Sequence, residues 1–165
     1  MQAAIITRAA SPHDLGAIAA LQAHVFGPGR FTRSAYRVRE GKGLMSRFCR
    51  VADRNGQLIA SLRITEVSIG DTTGAALLGP LAVDPAFRGQ GYGRKLAAEA
   101  MDEMKSAGIA VVVLVGDEPY YGRFGFKPVP PGTIQFPGPI NPARILAAEL
   151  KDGALAGYHG LIIAV

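Results

Sequence analysis

Residues 77–95, LLGPLAVDPAFRGQGYGRK, constrain this chain more than any other stretch. Strand-forming apolar residues run into a turn with glycine at Gly89, Gly91 and Gly93, and a helix opens directly after it. Glycine at alternate positions removes Cβ atoms where main-chain N–H groups must approach an anion, and the helix aims its positive dipole end at the same point. Arg88, Arg94 and Lys95 add formal charge there. The turn reads as a phosphate cradle, but tight turns also use glycine for steric reasons alone, so the flanks decide. After Gly93, Leu96, Ala97, Ala100, Met101 and Met104 recur on one helical face, with Glu99, Asp102, Glu103 and Lys105 on the other, and Gly108 stands where the helix should stop. Residues 109–115, IAVVVLV, are then apolar on both faces, as a central buried strand is. The cradle is therefore expected at the turn of a β-turn-α-β unit.

Three nucleotide-binding signatures compete for such a unit. A Walker-type loop requires glycine, four residues, then Gly-Lys-Ser/Thr, a string this chain lacks. A dinucleotide fold requires GxGxxG directly after the strand and an acid about 20 residues on, a place Asp117 could fill. Here the glycines fall at 89, 91 and 93, set back from Val83, and no further βα units follow, which weakens that reading. The pattern that matches is Arg/Gln-x-x-Gly-x-Gly/Ala, in Arg88-Gly89-Gln90-Gly91-Tyr92-Gly93. On these residues the chain resembles the GNAT superfamily of N-acetyltransferases, whose acetyl-CoA signature this is. A second segment, residues 117–126, DEPYYGRFGF, is similar to the family's aromatic element after the fifth strand, in which a tyrosine stands four residues before a Gly-Phe pair. Tyr121 and Gly125-Phe126 have that spacing. The likeness extends loosely over nearly the whole chain, most closely to the small bacterial YhbS-like subgroup.

The resemblance implies a mixed α/β acyltransferase fold, a twisted and mostly antiparallel sheet flanked by helices, with the fourth and fifth strands splayed. It implies acetyl-CoA as co-substrate, its pyrophosphate held by Arg88, Gly89, Gln90, Gly91, Tyr92, Gly93 and Arg94. Gly79-Pro80 interrupts an otherwise strong strand, and since proline donates no ladder bond and glycine tolerates a bulge, the strand should be locally unpaired there. In the resembled family such a bulge opens a slot for the pantetheine arm, with Leu81, Ala82 and Val83 supplying main-chain partners and one N–H near the thioester oxygen.

The chemistry implied is attack of a primary amine on the thioester, with a proton needed by the departing thiolate. Tyr121 is the expected donor, because a phenol of pKa about 10 is protonated at neutral pH and a thiol of pKa about 8.5 can receive its proton; Tyr120 is the alternative. An alkyl amine arrives protonated, and Glu66, near the end of the third strand, is the best candidate for its base, while Asp117 and Glu118 could attract a cationic substrate. The acceptor is a small-molecule or peptide amine that the motifs do not identify, and a homodimer is left open. A different class, a non-catalytic acyl-CoA-binding sensor or partner subunit, would keep the cradle without acyl transfer.

Bulk properties fit one domain over residues 1–165, with 48% apolar and 19% charged residues. The net charge of +5 could suggest nucleic acid, but the basic residues are dispersed (Arg30, Arg33, Arg37, Arg39, Lys42, Arg47, Arg50), and with 7% aromatic residues and no tryptophan there is little for bases to stack on. Nucleic acid is therefore not the expected partner. Cys49 is the only cysteine, which excludes an internal disulfide, and His13, His24 and His159 have no ligand spacing, so no metal is expected. Cys49 between Phe48 and Val51 reads as core packing rather than a nucleophile. With no signal peptide and no apolar run near 18 residues, no membrane span and a cytoplasmic location are expected.

Along the chain, residues 5–8 read as a first strand, and Ser11-Pro12 with Asp14 as a capped start for a helix ending at Gly27-Pro28. A second helix is expected over 32–40. Asp53-Arg54-Asn55-Gly56 reads as a hairpin turn between strands 48–52 and 58–67. Six of the eleven prolines lie between Pro128 and Pro142, which predicts an irregular loop; Asn141-Pro142 then reads as capping a helix to about Leu150, and residues 158–165 as a closing strand.

Overall fold

A computed structural model describes residues 4–27, Val38 and 46–165. Strand β1 (Ile5–Ala9) passes through Ser11 and a single 3-10 turn into helix α1 (Leu15–Phe26). Ser11 N–H donates to the Asp14 carboxylate at 2.8 Å, one half of the expected capping box. Strands β2 (Arg50–Arg54), β3 (Gln57–Ile69) and β4 (Thr72–Val83) then form an antiparallel meander. Its first turn has positive φ at both Asn55 (51°) and Gly56 (87°), the geometry that matches strand twist in a two-residue hairpin.

After the cradle come helix α2 (Tyr92–Ser106), strand β5 (Val111–Val115) and the single turn α3 (Glu118–Tyr121). The chain closes with β6 (Lys127–Pro128), β7 (Ile134–Gln135), β8 (Ile145–Glu149) and β9 (Gly160–Ala164). The strand order is β1-β2-β3-β4-β5-β8-β6, with β9 on β3 and β7 on β9; among the described residues only β4–β5 and β7–β9 are parallel. The helix expected over 32–40 lies outside the described residues, apart from Val38, which is buried.

The two faces of the sheet are packed differently. On one, α2 lays down Leu96, Ala97, Ala100, Met101 and Met104, the stripe read from the sequence, against Leu62, Ile64, Ala76, Leu78, Val112 and Leu114. On the other, Ile18 of α1 packs on Val51 and Leu58, while Val38, Phe136 and Ile134 pack on Leu77, Val111 and Val113. Glu99 and Glu103 were expected on α2's outer face, but both turn toward the sheet to hold the buried Arg50 guanidinium at 3.0 and 2.5 Å, and Glu99 also accepts from Thr7 Oγ1 at 2.8 Å.

One expected element is overturned. The helix foreseen from Asn141 to about Leu150 is a 3-10 turn (Pro142–Arg144), capped by the Asn141 side chain, followed by strand β8. ILAAE contains good helix formers, but all five residues pair antiparallel with β5, from Ile145 opposite Val115 to Glu149 opposite Val111, and long-range pairing outweighs local propensity. The proline-rich stretch before it also carries the two short strands β6 and β7 within its irregular course.

Candidate active site

The site begins where β4 loses a neighbour. β3 and β4 pair Leu62 with Leu81 and then Ile64 with Leu78, so three steps on β4 span two on β3 and the extra residue falls at Gly79-Pro80. This is the bulge proline was expected to force. On its other side β4 pairs with β5 only through Ala75–Val111, Ala76–Val112 and Leu77–Val113. From Leu78 onward β4 keeps β3 alone, while β5 runs on to Val115 with β8. A slot therefore opens between β4 and β5 at the bulge. Asp84 N–H donates to Ile59 C=O at 2.8 Å, which by strand alternation turns the Ala82 main chain toward β3 and leaves Leu81 and Val83 facing the slot.

The cradle lies at the end of β4. Gly89 (φ 79°) and Gly91 (φ 87°) hold conformations that L side chains rarely adopt, and open space surrounds both. Gly93 serves differently: a Cβ there would stand 3.2 Å from Leu81, 3.3 Å from Val83 and 3.4 Å from the Tyr120 hydroxyl, so its absence lets α2 sit tight on β4. The first helical hydrogen bond runs from Lys95 N–H to Gly91 C=O at 2.9 Å. Among the described residues, none of the main-chain N–H groups of residues 89–94 has an acceptor of its own. They converge on a cleft of about 180 Å³ lined by Val83, Phe87, Arg88, Gly89, Gly91, Tyr92, Gly93, Arg94 and Tyr120. Such donors with two exposed guanidinium groups make an anion site. Gln90 is not among the residues that line the cleft. Phe87 is an addition that nothing in the sequence marks, and Tyr120, inside the aromatic segment and named as the alternative donor, lines the cleft where Tyr121 does not.

Tyr121, at the end of α3, is not among the residues that line this cleft. Its ring lies over Gly116, just past β5, where an added Cβ would sit 2.6 Å from Cε2, and it meets Phe126 edge-on at 6.1 Å and Tyr120 at 4.8 Å. Glycine at 116 is thus what admits the ring. Glu66 is not brought to this place. It pairs opposite Ala76, shares strand parity with Leu62 and Ile64 on the α2 face, and makes an ion pair with Arg47 at 3.6 Å. Asp117, exposed, faces Arg144 at 3.5 Å. Cys49 is buried, its sulfur accepting from Ile64 N–H at 3.3 Å, which extends the β2 edge as a structural tie.

A bulged, splayed parallel pair feeding a glycine cradle at a helix N-terminus defines an acyl-CoA-type transferase scaffold. Residues 7–129 match the family model described as an acetyltransferase (GNAT) domain, and the chain belongs to the GNAT family. It is 30% identical over 159 residues to the uncharacterized N-acetyltransferase YhbS of Escherichia coli K12, covering 96% of this chain and 95% of that protein. The crystal structure of Escherichia coli YhbS in complex with CoA superimposes with a TM-score of 0.83 at 29% identity, over all of this chain and 92% of that one. A GNAT acetyltransferase from Brucella melitensis, solved with acetyl-CoA, matches 75% of this chain and 83% of its own at a TM-score of 0.64 and 33% identity. The protein is an acyltransferase with the mixed, mostly antiparallel fold of these relatives. No helix among the described residues is long and apolar enough to cross a membrane.

Proposed function

We propose that residues 1–165 act as one N-acetyltransferase domain that moves the acetyl group of acetyl-CoA onto a primary amine. The observation that carries this reading is the continuity of the unsatisfied N–H groups of residues 89–94 with the slot beside Leu81 and Val83. The pyrophosphate sits on those donors between Arg88 and Arg94, and the pantetheine arm runs up the slot as an added strand. The thioester supplies the activated acyl carbon.

The amine nitrogen attacks that carbon, and the Leu81 or Val83 N–H stabilises the oxygen as it takes charge. The carbon–sulfur bond then breaks and the Tyr121 hydroxyl gives its proton to the thiolate, the tyrosinate being reprotonated from solvent. Glu66, paired with Arg47, takes no part, and the amine proton leaves to water. CoA-bound relatives support the cofactor half of this reading.

Calorimetry with acetyl-CoA, followed by thiol release over a panel of amines, tests both halves. Saturable binding with amine-dependent thiol release is the expected result. Binding without release from any amine would favour an acyl-CoA sensor, and absent binding by folded protein would end the proposal.

A further inference from the structure

We infer that Arg63 selects the acceptor, and that the amine admitted to this site carries a carboxylate. The inference rests on the transferase reading above and names its substrate class. In the β3–β4 register Leu62 faces Leu81 and Ile64 faces Leu78, so Arg63 is the β3 residue that stands across from the Gly79-Pro80 bulge, where the slot opens. Leu62 and Ile64 point into the α2 core, and alternation sends Arg63, between Ser61 and Thr65, to the α1 face. The cradle lies at the α2 N-terminus, and the acceptor is taken to meet the slot from this other face.

That side is polar where its surroundings are apolar. Ile18, Val51 and Leu58 cluster at one end, Leu77, Val113 and Phe136 at the other. Between them, Ser61 Oγ, Arg63 Nε and Thr65 Oγ1 are buried atoms with no hydrogen-bond partner among the described residues. Arg63 takes part in none of the described ion pairs, whereas Arg8, Arg47, Arg50 and Arg144 each have a carboxylate. A buried guanidinium N–H left unmade is costly, and a planar carboxylate is the group that satisfies that fork with two charge-assisted bonds. The same charge repels a plain alkylammonium or a polyamine. An amino carboxylate brings its own counter-charge and leaves the amine free to attack.

The test uses matched pairs: glycine and glycinamide, β-alanine and its amide, 4-aminobutyrate and its amide, with putrescine as the dication. For at least one chain length, kcat/KM from thiol release should favour the carboxylate over its amide by about tenfold or more. Arg63→Gln should collapse that ratio to within about threefold, and Arg63→Lys should keep part of it. Acetyl-CoA affinity, measured on each variant, checks that it has folded. Amides or putrescine equal to or better than the carboxylates, or a preference that survives Arg63→Gln, would overturn the inference while leaving the transferase reading in place. A second readout is calorimetric binding of the N-acetylated carboxylates and amides to the CoA-loaded protein. If no amine is acetylated, Arg63-dependent binding of the carboxylates upholds the subsite against a failed transferase reading, and its absence removes the subsite too.

Discussion

The two faces of the sheet present different materials, main chain on one and side chains on the other. The α2 face offers main chain: N–H donors from residues 89–94, glycines that either take positive φ or permit close packing, and a strand edge left unpaired by a bulge. The α1 face offers side chains, a polar row of Ser61, Arg63 and Thr65 set between apolar clusters. Main-chain recognition depends on geometry that few sequences can supply, so it leaves a motif. Side-chain recognition can change one residue at a time and leaves none.

The largest effect that can test this contrast lies where the halves meet. Tyr121→Phe keeps the ring over Gly116 and against Phe126 but removes the proposed proton donor, so on that proposal kcat should fall by about a hundredfold or more with acetyl-CoA affinity nearly unchanged. Steady-state thiol release and calorimetry measure the two quantities; undiminished turnover would move the role elsewhere, Tyr120 first. Next is Gly93→Val. Its side chain has to displace Leu81, Val83 or the Tyr120 hydroxyl, levering α2 from β4, and acetyl-CoA binding should weaken by about tenfold to a hundredfold. If that variant binds normally, close helix–strand approach is not what shapes the cradle.

How much of this was legible in the sequence follows the same division. The α2 stripe was readable because a one-sided helix writes its burial at a period of 3.6, and the bulge because proline cannot serve a ladder wherever it sits. Residues 145–149 were misread because Ala, Leu and Glu favour a helix locally, whereas their strand is dictated by β5, some thirty residues earlier in the chain. Glu99 and Glu103 looked solvent-facing because nothing local announces Arg50 as their partner. Arg63 carried no signal at all: an arginine in a strand reads as solvated until the register puts it across from Gly79-Pro80.

A third, smaller effect separates the faces by pH. Asp14, buried beside α1, has its pKa lowered from 3.8 to about 2 by hydrogen bonds from Arg8, against the opposing cost of burial, with further help from Ser11. A carboxyl whose folded pKa is depressed stabilises fully above its unfolded value and loses that contribution as pH falls through the folded one. The window is therefore from about pH 4 down to about 2, and Arg8, whose own pKa is raised chiefly by the Asp14 hydrogen bond, stays charged throughout. With Arg8 about one-third exposed, the contribution is on the order of 1–2 kcal/mol after screening. Urea unfolding at pH 5 and pH 2.5 should show a loss of stability that is smaller by most of this amount in Asp14→Asn. Parallel losses in the two proteins would mean that the Arg8 clasp does not anchor α1.

The smallest expected effect is the sharpest for the division of labour. Glu66 is the carboxylate that sequence position favours as a base, yet it lies on the α2 face, about 39% exposed, with its charge answered by Arg47 at 3.6 Å. A half-exposed pair of this kind contributes little to stability. Glu66→Gln keeps the shape and removes the proton acceptor, so if deprotonation belongs to solvent on the α1 face, kcat/KM should change by less than about threefold across the pH range. If Glu66 were the base, its loss would cost about a hundredfold or more and would flatten the acidic limb of the profile. That outcome would require the amine to approach from the α2 side, and the assignment of the two faces to cofactor and acceptor would have to be redrawn.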